Sequence, residues 1–396
     1  MVVLSQRIEK KYKHEKQKLI RLWNDKTLRK VVYLFLLIKI IIFTIGVSSQ
    51  FIPIELTHRQ IRSDNIFLNP WAQYDAGAYL DIAKNGYNSE YNNGIGNYAW
   101  YPLYPLLIRI FSVIGYELAA FLISNIASFF AVVMLYLLIK EEMNKRIAYK
   151  TIFFILLFPT SYIFTTMYTE SLFLLLSVLC FMSAKKGKYL KAGIAGFLAS
   201  LTRLQGSLLF LPILYLYLYN KKFNLRKIDF KIIFTFLIPL GFLTFLAYHF
   251  ILTGNAFIQL QTQEKFYRGF SMPWEPILNS TMMALNSSFI QDSFYHTFNV
   301  AITLFFIILT VLSFKYLRKD YSLYLIFSLL LPLTTSVLDS ISRFVLVMFP
   351  AFMVMAKISY EKRKFKIFLD GLYIIFVVLM ILFTIRHANE WFIITI

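Results

Sequence analysis

The chain has 396 residues, of which 58% are apolar, 18% aromatic and only 16% charged. A soluble globular domain carries roughly half apolar and about a quarter charged residues, so this composition excludes a water-soluble fold. Lys and Arg number 41 against 21 Asp and Glu, a formal charge of +20 that in a soluble protein would point to nucleic acid. Apolar runs long enough to span a bilayer give the excess another origin, because positive charge collects on the cytoplasmic loops of membrane proteins. Membrane lipids, and no nucleic acid, are the expected surroundings. The one cysteine, Cys180, sits inside an apolar run, which excludes an internal disulfide and a cysteine-cluster metal site.

In chain order, residues 1–30 form a charged, amphipathic, cytoplasmic N-terminus without the short apolar stretch of a cleavable signal peptide. Residues 31–396 read as one transmembrane domain with no linker, soluble domain or repeat array. Its apolar runs predict spans at 31–53, 117–139, 150–167, 169–184, 189–203, 205–220, 231–252, 298–314, 321–338, 344–357 and 367–386. The fold class is therefore an all-α polytopic membrane bundle of about 11 transmembrane helices. The four spans between 150 and 220 are short and are expected as tight hairpins. Segment 102–115 is too short to cross and carries Arg109, so it is expected to lie as an interfacial helix in the first outer loop.

The basic segments 1–30, 140–150, 185–191, 221–231, 315–319 and 357–366 hold 31 of the 41 Lys and Arg, and all six fall on one side of the predicted spans. That side is expected to be cytoplasmic. The other face receives the loops 54–116 and 253–297. No cytoplasmic segment is long enough for a nucleotide-sugar domain, so an activated substrate would arrive from the membrane or from the outer side.

On that outer face, Asp75 stands among Trp71, Tyr74 and Tyr79. A carboxylate beside aromatic rings suits a general base against a sugar, since the rings stack on the pyranose and exclude water; a helix-capping or solvated interfacial acid is the plainer alternative. Asp81, six residues on, points to another helix face and is not expected to share a metal with Asp75. Glu170 opens an apolar helix, with Thr169 as its expected cap. Arg203 lies at the tip of the next hairpin and either neutralises Glu170 or grips an anion such as a phosphate. Arg343 poses the same choice, with Asp339 one helical turn away as the plain partner. One carboxylate base plus arginines that reach an anionic leaving group is the equipment for transferring a group from a lipid-linked phosphate. The five histidines form no metal pattern, and Lys39, within the first span, either snorkels or faces the bundle interior. Gln261, Gln263, Glu264, Lys265, Tyr267, Arg268 and Trp274 read first as a solvated amphipathic segment and second as the lining of an acceptor cleft.

Five blocks, in order, carry a resemblance to a known family. Tyr74-Asp75-Ala-Gly-Ala-Tyr79-Leu-Asp-Ile82-Ala83-Lys-Asn-Gly86-Tyr87 resembles the first-loop motif of the GPI mannosyltransferase 2 family, and Tyr101-Pro102-Leu103-Tyr104-Pro105 its Phe-Pro-Leu-Tyr-Pro. Phe158-Pro159, with Tyr168-Thr169-Glu170-Ser171-Leu-Phe173, is similar to its Phe-Pro…Tyr-Thr-Glu-Ser-x-Phe. Leu201-Thr202-Arg203 with Gly206, and Ser342-Arg343-Phe344 with Phe349-Pro350, resemble its later elements. Tyr74 stands where the family has Trp, and Trp100-Tyr101 replaces a Phe-rich pair.

The resemblance implies a GT-C glycosyltransferase, an integral membrane enzyme that uses a polyprenyl-phosphate sugar, typically dolichyl-phosphate mannose, on the non-cytoplasmic face. Asp75 would be the catalytic base, with Glu170, Arg203, Arg343, Tyr79, Tyr101, Tyr168 and Gln205 binding substrate. The expected partners are a polyprenyl-phosphate sugar donor and a glycan, lipid-linked or protein acceptor. No cofactor is called for, and a divalent metal stays open. The expected location is a prokaryotic plasma membrane, or the endoplasmic reticulum in a eukaryote. A lipid or sugar transporter or flippase, and a non-catalytic subunit of a glycosylation complex, are the alternatives.

Overall fold

The computed structural model describes residues 24–52, 61–266 and 268–390. Most of the basic N-terminus, residues 53–60, Tyr267 and residues 391–396 lie outside the described residues. Among those described the chain is all-helical, apart from one isolated bridge between Phe270 and Thr335.

Helix α1 (Lys26–Ser48) starts where the Asp25 carboxylate accepts the amides of Thr27 and Leu28 at 2.9 and 3.3 Å. It buries Leu28, Val31, Phe35, Ile38 and Ile42, a stripe at helical spacing, and leaves Tyr33, Leu36, Leu37 and Ile40 exposed. A helix this apolar on its outward side is built for lipid rather than water. Half-buried Lys39 turns inward, donating to Asn125 Oδ1 at 2.8 Å, Phe164 O at 2.5 Å and Thr165 Oγ1 at 3.2 Å.

The segment after α1 folds back as α2 (Asp75–Asn85) and α3 (Leu103–Ile110) before α4 (Tyr116–Glu142). Helix α3 and the turn after it expose Leu106, Ile110, Phe111 and Val113, the amphipathic surface expected of the 102–115 segment. There follow α5 (Lys145–Leu156), α6 (Glu170–Lys185), α7 (Tyr189–Ser200), α8 (Leu204–Leu208), α9 (Phe210–Asn220) and α10 (Leu237–Thr253). The rest comprises α11 (Ile258–Glu264), α12 (Glu275–Asn286), α13 (Ile290–Tyr316), α14 (Lys319–Leu333), α15 (Ile341–Leu346), α16 (Phe349–Glu361) and α17 (Arg363–Ala388).

Among the described residues, five helical stretches are long and apolar enough to cross a membrane: Lys26–Phe51, Tyr116–Glu142, Phe230–Thr253, Asp292–Tyr316 and Ile367–Ala388. These match five of the eleven expected spans. The other six hold shorter helices, α6 being the longest at 16 residues, so helix length supports five crossings. Helix ends near these runs fall at identifiable places. The run 150–167 ends as helix at Leu156, ahead of Pro159, which lacks an amide and disfavours helical geometry at the residue before it. Arg203 is fully extended between α7 and α8, and Ser340 takes a left-handed conformation (φ 66°) at the start of α15.

Contacts between loops sort the bundle into two ends. At one, Lys140 reaches Asp25 at 2.5 Å, Lys185 and Arg318 reach Glu142 at 3.5 and 3.3 Å, and Lys357 donates to Tyr316 O at 2.9 Å. The basic segments at 140–150, 185–191, 315–319 and 357–366 thus meet with the start of α1. At the other end, Gln259 of α11 donates to the Tyr101 hydroxyl at 3.0 Å. There Ser271 N bonds Thr334 O at 3.0 Å, and Ser336 N bonds Gly269 O at 3.1 Å. These bonds stitch the loop after α10 onto the turn before α15.

Candidate active site

Each charged site residue stands where a helix begins. Asp75 and Glu170 are the first residues of α2 and α6, Arg203 immediately precedes α8, and Arg343 lies in the first turn of α15. The start of a helix favours a carboxylate through the unsatisfied amides and the dipole. It does not favour an arginine, so the two arginines need carboxylates from elsewhere in the fold.

They find them in each other's company. Arg343 Nη1 donates to Asp75 Oδ2 at 2.6 Å while its Nε donates to Glu170 Oε1 at 2.7 Å. Arg203 Nη1 donates to the same Glu170 oxygen at 2.6 Å and to Thr169 Oγ1 at 3.3 Å. The result is a continuous chain, Asp75–Arg343–Glu170–Arg203, with two charges of each sign. It runs from the interior outward: the side chains of Glu170 and Arg343 are 0% and 4% exposed, those of Arg203 and Asp75 11% and 24%. The second oxygen of Glu170 has no hydrogen-bond partner.

Three of the expectations are corrected by this geometry. Thr169 makes no helix-capping hydrogen bond; its hydroxyl serves Arg203 and lies 3.4 Å from the Tyr79 hydroxyl. Arg343 does not pair with Asp339, because the turn at Ser340 points Arg343 towards Glu170 and leaves the Asp339 carboxylate to the Tyr295 hydroxyl at 3.2 Å. Arg268 is no solvated loop residue, as it donates to Ser340 Oγ at 2.9 Å and to Asp339 O at 3.4 Å. Burial holds its guanidinium below the ordinary value, opposed by Asp75 and Asp339.

Aromatic rings frame the chain of charges. The Arg343 guanidinium lies 4.4 Å from the Tyr168 ring centroid, and that of Arg203 lies 5.0 Å from the Phe344 ring. The Tyr168 hydroxyl donates to Gln73 O at 3.1 Å, tying α6 to the segment just before Asp75. Burial, with Asp75 and Glu170 nearby, drives the Tyr79 hydroxyl far above its usual range and keeps it a donor. Tyr74, directly before Asp75, has φ 52°, a conformation that side chains with a Cβ adopt at a cost.

Two of the expected binding residues sit slightly apart. Tyr101 is packed on Phe245 at 4.7 Å and takes its hydrogen bond from Gln259 rather than from any of the four charges, though Arg203 is near enough to act on its hydroxyl electrostatically. Gln205 is buried and donates to Ser328 O at 3.5 Å, while its carbonyl oxygen has no partner. Asp81 accepts from Asn85, Asn88 and Asn97 at 2.7, 3.0 and 2.7 Å and acts as a loop staple. Nothing in the spacing of the sequence pointed to His387. It is ringed by Tyr74, Tyr162 and Tyr168 at 5.4, 5.1 and 5.8 Å, and neither of its nitrogens is hydrogen-bonded. Among the described residues, no group of three or more His, Cys, Asp or Glu has the arrangement to hold a metal ion.

No protein-family model matches the chain, and no curated protein matches it, so the family resemblance rests on the five sequence blocks alone. Among solved structures, the chain is similar to the Archaeoglobus fulgidus oligosaccharyltransferase tethered with an acceptor peptide containing the NVT sequon. That likeness covers 93% of this chain and 55% of the other, at 14% identity and a TM-score of 0.47. The archaeal oligosaccharyltransferase AglB from the same organism, in complex with an inhibitory peptide and a dolichol-phosphate, is similar over 90% of this chain and 56% of its own, at 14% identity and a TM-score of 0.41. The chain spans about half the length of these structures. Likenesses of this size leave the chemistry of the site to be argued from its own geometry.

Proposed function

We propose that the chain is an integral-membrane glycosyltransferase of GT-C type. It moves a hexose, mannose in the first instance, from a polyprenyl phosphate to an acceptor hydroxyl with inversion. The observation that carries this reading is the direct link, through Arg343, between a solvent-accessible carboxylate and a pair of arginines that share buried Glu170. Asp75 keeps one oxygen on Arg343, and its other oxygen has no partner among the described residues. That second oxygen takes the proton of the acceptor hydroxyl as the acceptor oxygen bonds to the sugar's anomeric carbon. The anomeric carbon–oxygen bond to the phosphate breaks, and its electron pair leaves on the polyprenyl phosphate. Arg203 and Arg343 each hold guanidinium N–H groups beyond those given to Glu170 and Asp75, and these stabilise the departing anion. Glu170 holds the two arginines in register, and Tyr79 donates to a sugar oxygen. Tyr101, Tyr168 and Gln205 shape the walls.

Eleven crossings would place the basic end in the cytoplasm and the four charges on the extracytoplasmic face, in a prokaryotic plasma membrane. A transporter would need charged groups through the membrane depth; here Asp75, Glu170, Arg203 and Arg343 gather at one end. The test is to offer purified full-length protein in lipid nanodiscs a panel of polyprenyl-phosphate hexoses with simple glycoside acceptors. Release of polyprenyl phosphate with sugar transfer supports the proposal. If no donor in the panel is consumed while the protein stays folded, the reading as a scaffold subunit takes its place.

A further inference from the structure

At the end of the bundle away from Asp75, an open cavity of about 510 Å³ lies between the starts of α1 and α5 and the third turn of α17. Four of its lining residues are basic, namely Lys30, Lys145, Arg146 and Lys150, and Phe153 and Tyr373 are among the rest. Lys150 is committed to Ser359 Oγ and sits 6.0 Å from the Tyr373 ring. Lys30, Lys145 and Arg146 make no ion pair among the described residues. Asp25, beside the lining residue Thr27, is already held by Lys140 at 2.5 Å and by the Tyr136 hydroxyl at 3.0 Å. Neither α1 nor α5 has an acidic residue in its first turn; Lys145 and Arg146 open α5, and Lys30 follows in the second turn of α1, which Asp25 caps. Cations at the positive end of a helix repel the dipole as well as one another, so this concentration costs stability unless an anion offsets it.

We infer that the cavity binds a phosphate-bearing anion at the membrane surface, with its charge among Lys30, Lys145 and Arg146 and its apolar part against Phe153 and Tyr373. An anionic phospholipid supplies both halves, and a soluble phosphate supplies only the first. From Lys30 to the far end of α1 is about 27 Å at 1.5 Å per residue. The site is therefore separate from the four charges around Asp75 and does not rest on the transferase reading.

The test uses the full chain in neutral detergent, with bound lipid counted by native mass spectrometry and unfolding temperature followed in parallel. Phosphatidylglycerol, phosphatidylcholine and inorganic phosphate are the three probes. Saturable, stabilising binding of phosphatidylglycerol over phosphatidylcholine is expected. The exposed-residue variant K30Q/K145Q/R146Q is expected to weaken it on the order of a hundredfold, at roughly fivefold per cation removed. The charge-conserving K145R/R146K variant keeps the binding. Stabilisation by inorganic phosphate that is lost in the same triple variant would also support the site and assign it a soluble anion. Equal binding of phosphatidylcholine, or phosphatidylglycerol binding unchanged in K30Q/K145Q/R146Q, overturns the proposal.

Discussion

Glu170 takes both arginines on a single oxygen while fully buried, and this makes it the residue on which the site depends most for stability. Replacing it by Gln leaves two arginines with too little negative charge around them. The expected cost is about 3–5 kcal/mol, the range for breaking a buried ion pair from one side, read as a fall in the unfolding temperature in detergent. Removing Arg203 as well should recover part of that loss, so a Glu170→Gln/Arg203→Gln cycle is expected to be non-additive by about 1–3 kcal/mol. Asp339 gives a pH signature. Burial raises its carboxyl above the ordinary 3.8, with Arg268 and Tyr295 opposing. An acid whose folded pKa is raised holds more protons folded than unfolded, so its contribution to stability is largest at low pH and falls as pH climbs through the folded value. Wild type should therefore gain stability relative to Asp339→Asn as pH is lowered from 7 towards 4; a difference independent of pH would contradict the burial of that carboxyl.

At the level of elements, the site depends on helices that stop. Helices after residue 150 end ahead of Pro159, at extended Arg203 and before left-handed Ser340, and the ends leave polar side chains inside an apolar bundle, where Arg203, Glu170 and Arg343 partner one another. Gly206 shows how tight the arrangement is. A Cβ there would meet the Ala199 backbone at 2.2 Å, so α8 approaches α7 as only glycine permits. Gly206→Ala is expected to push α8 off α7, displacing Arg203 and sharply lowering the yield of folded protein. At the other end of the bundle, Asp25→Ala removes the cap of α1 and should cost about 1 kcal/mol, with no effect on a transfer reaction. The five long spans and the surface helix α3 were legible because hydrophobic length is a local property. The interruptions at Arg203 and Ser340 were legible as ends of apolar runs, whereas the early end of the 150–167 run at Leu156 was hidden because that run continues past it, although Pro159 was a visible signal. The charged residues were legible by type and place, yet Arg343 was matched with Asp339 because helical spacing cannot foresee a turn such as that at Ser340. Arg268 looked solvated until the strand-like contact of Phe270 with Thr335 drew it inward.

For the whole molecule, two ends of opposite character define the account: one where basic segments meet, the other where four balanced charges lie beside the folded segment that follows α1. Cys180 is buried, so single cysteines introduced elsewhere report sidedness without interference. A cysteine at exposed Lys188 should react with an impermeant maleimide only from the cytoplasmic side, and one at exposed Ser89 only from the outside; labelling of both from one side would refute the charge-based orientation. The central claim is that Asp75 is the base of a transferase, and one measurement meets it directly: turnover of a polyprenyl-phosphate hexose by Asp75→Asn against wild type, with equal folding checked by unfolding temperature. The account predicts a drop of about 10²–10⁴ in kcat, the usual contribution of a positioned base. A folded Asp75→Asn variant that transfers sugar at the wild-type rate would contradict it.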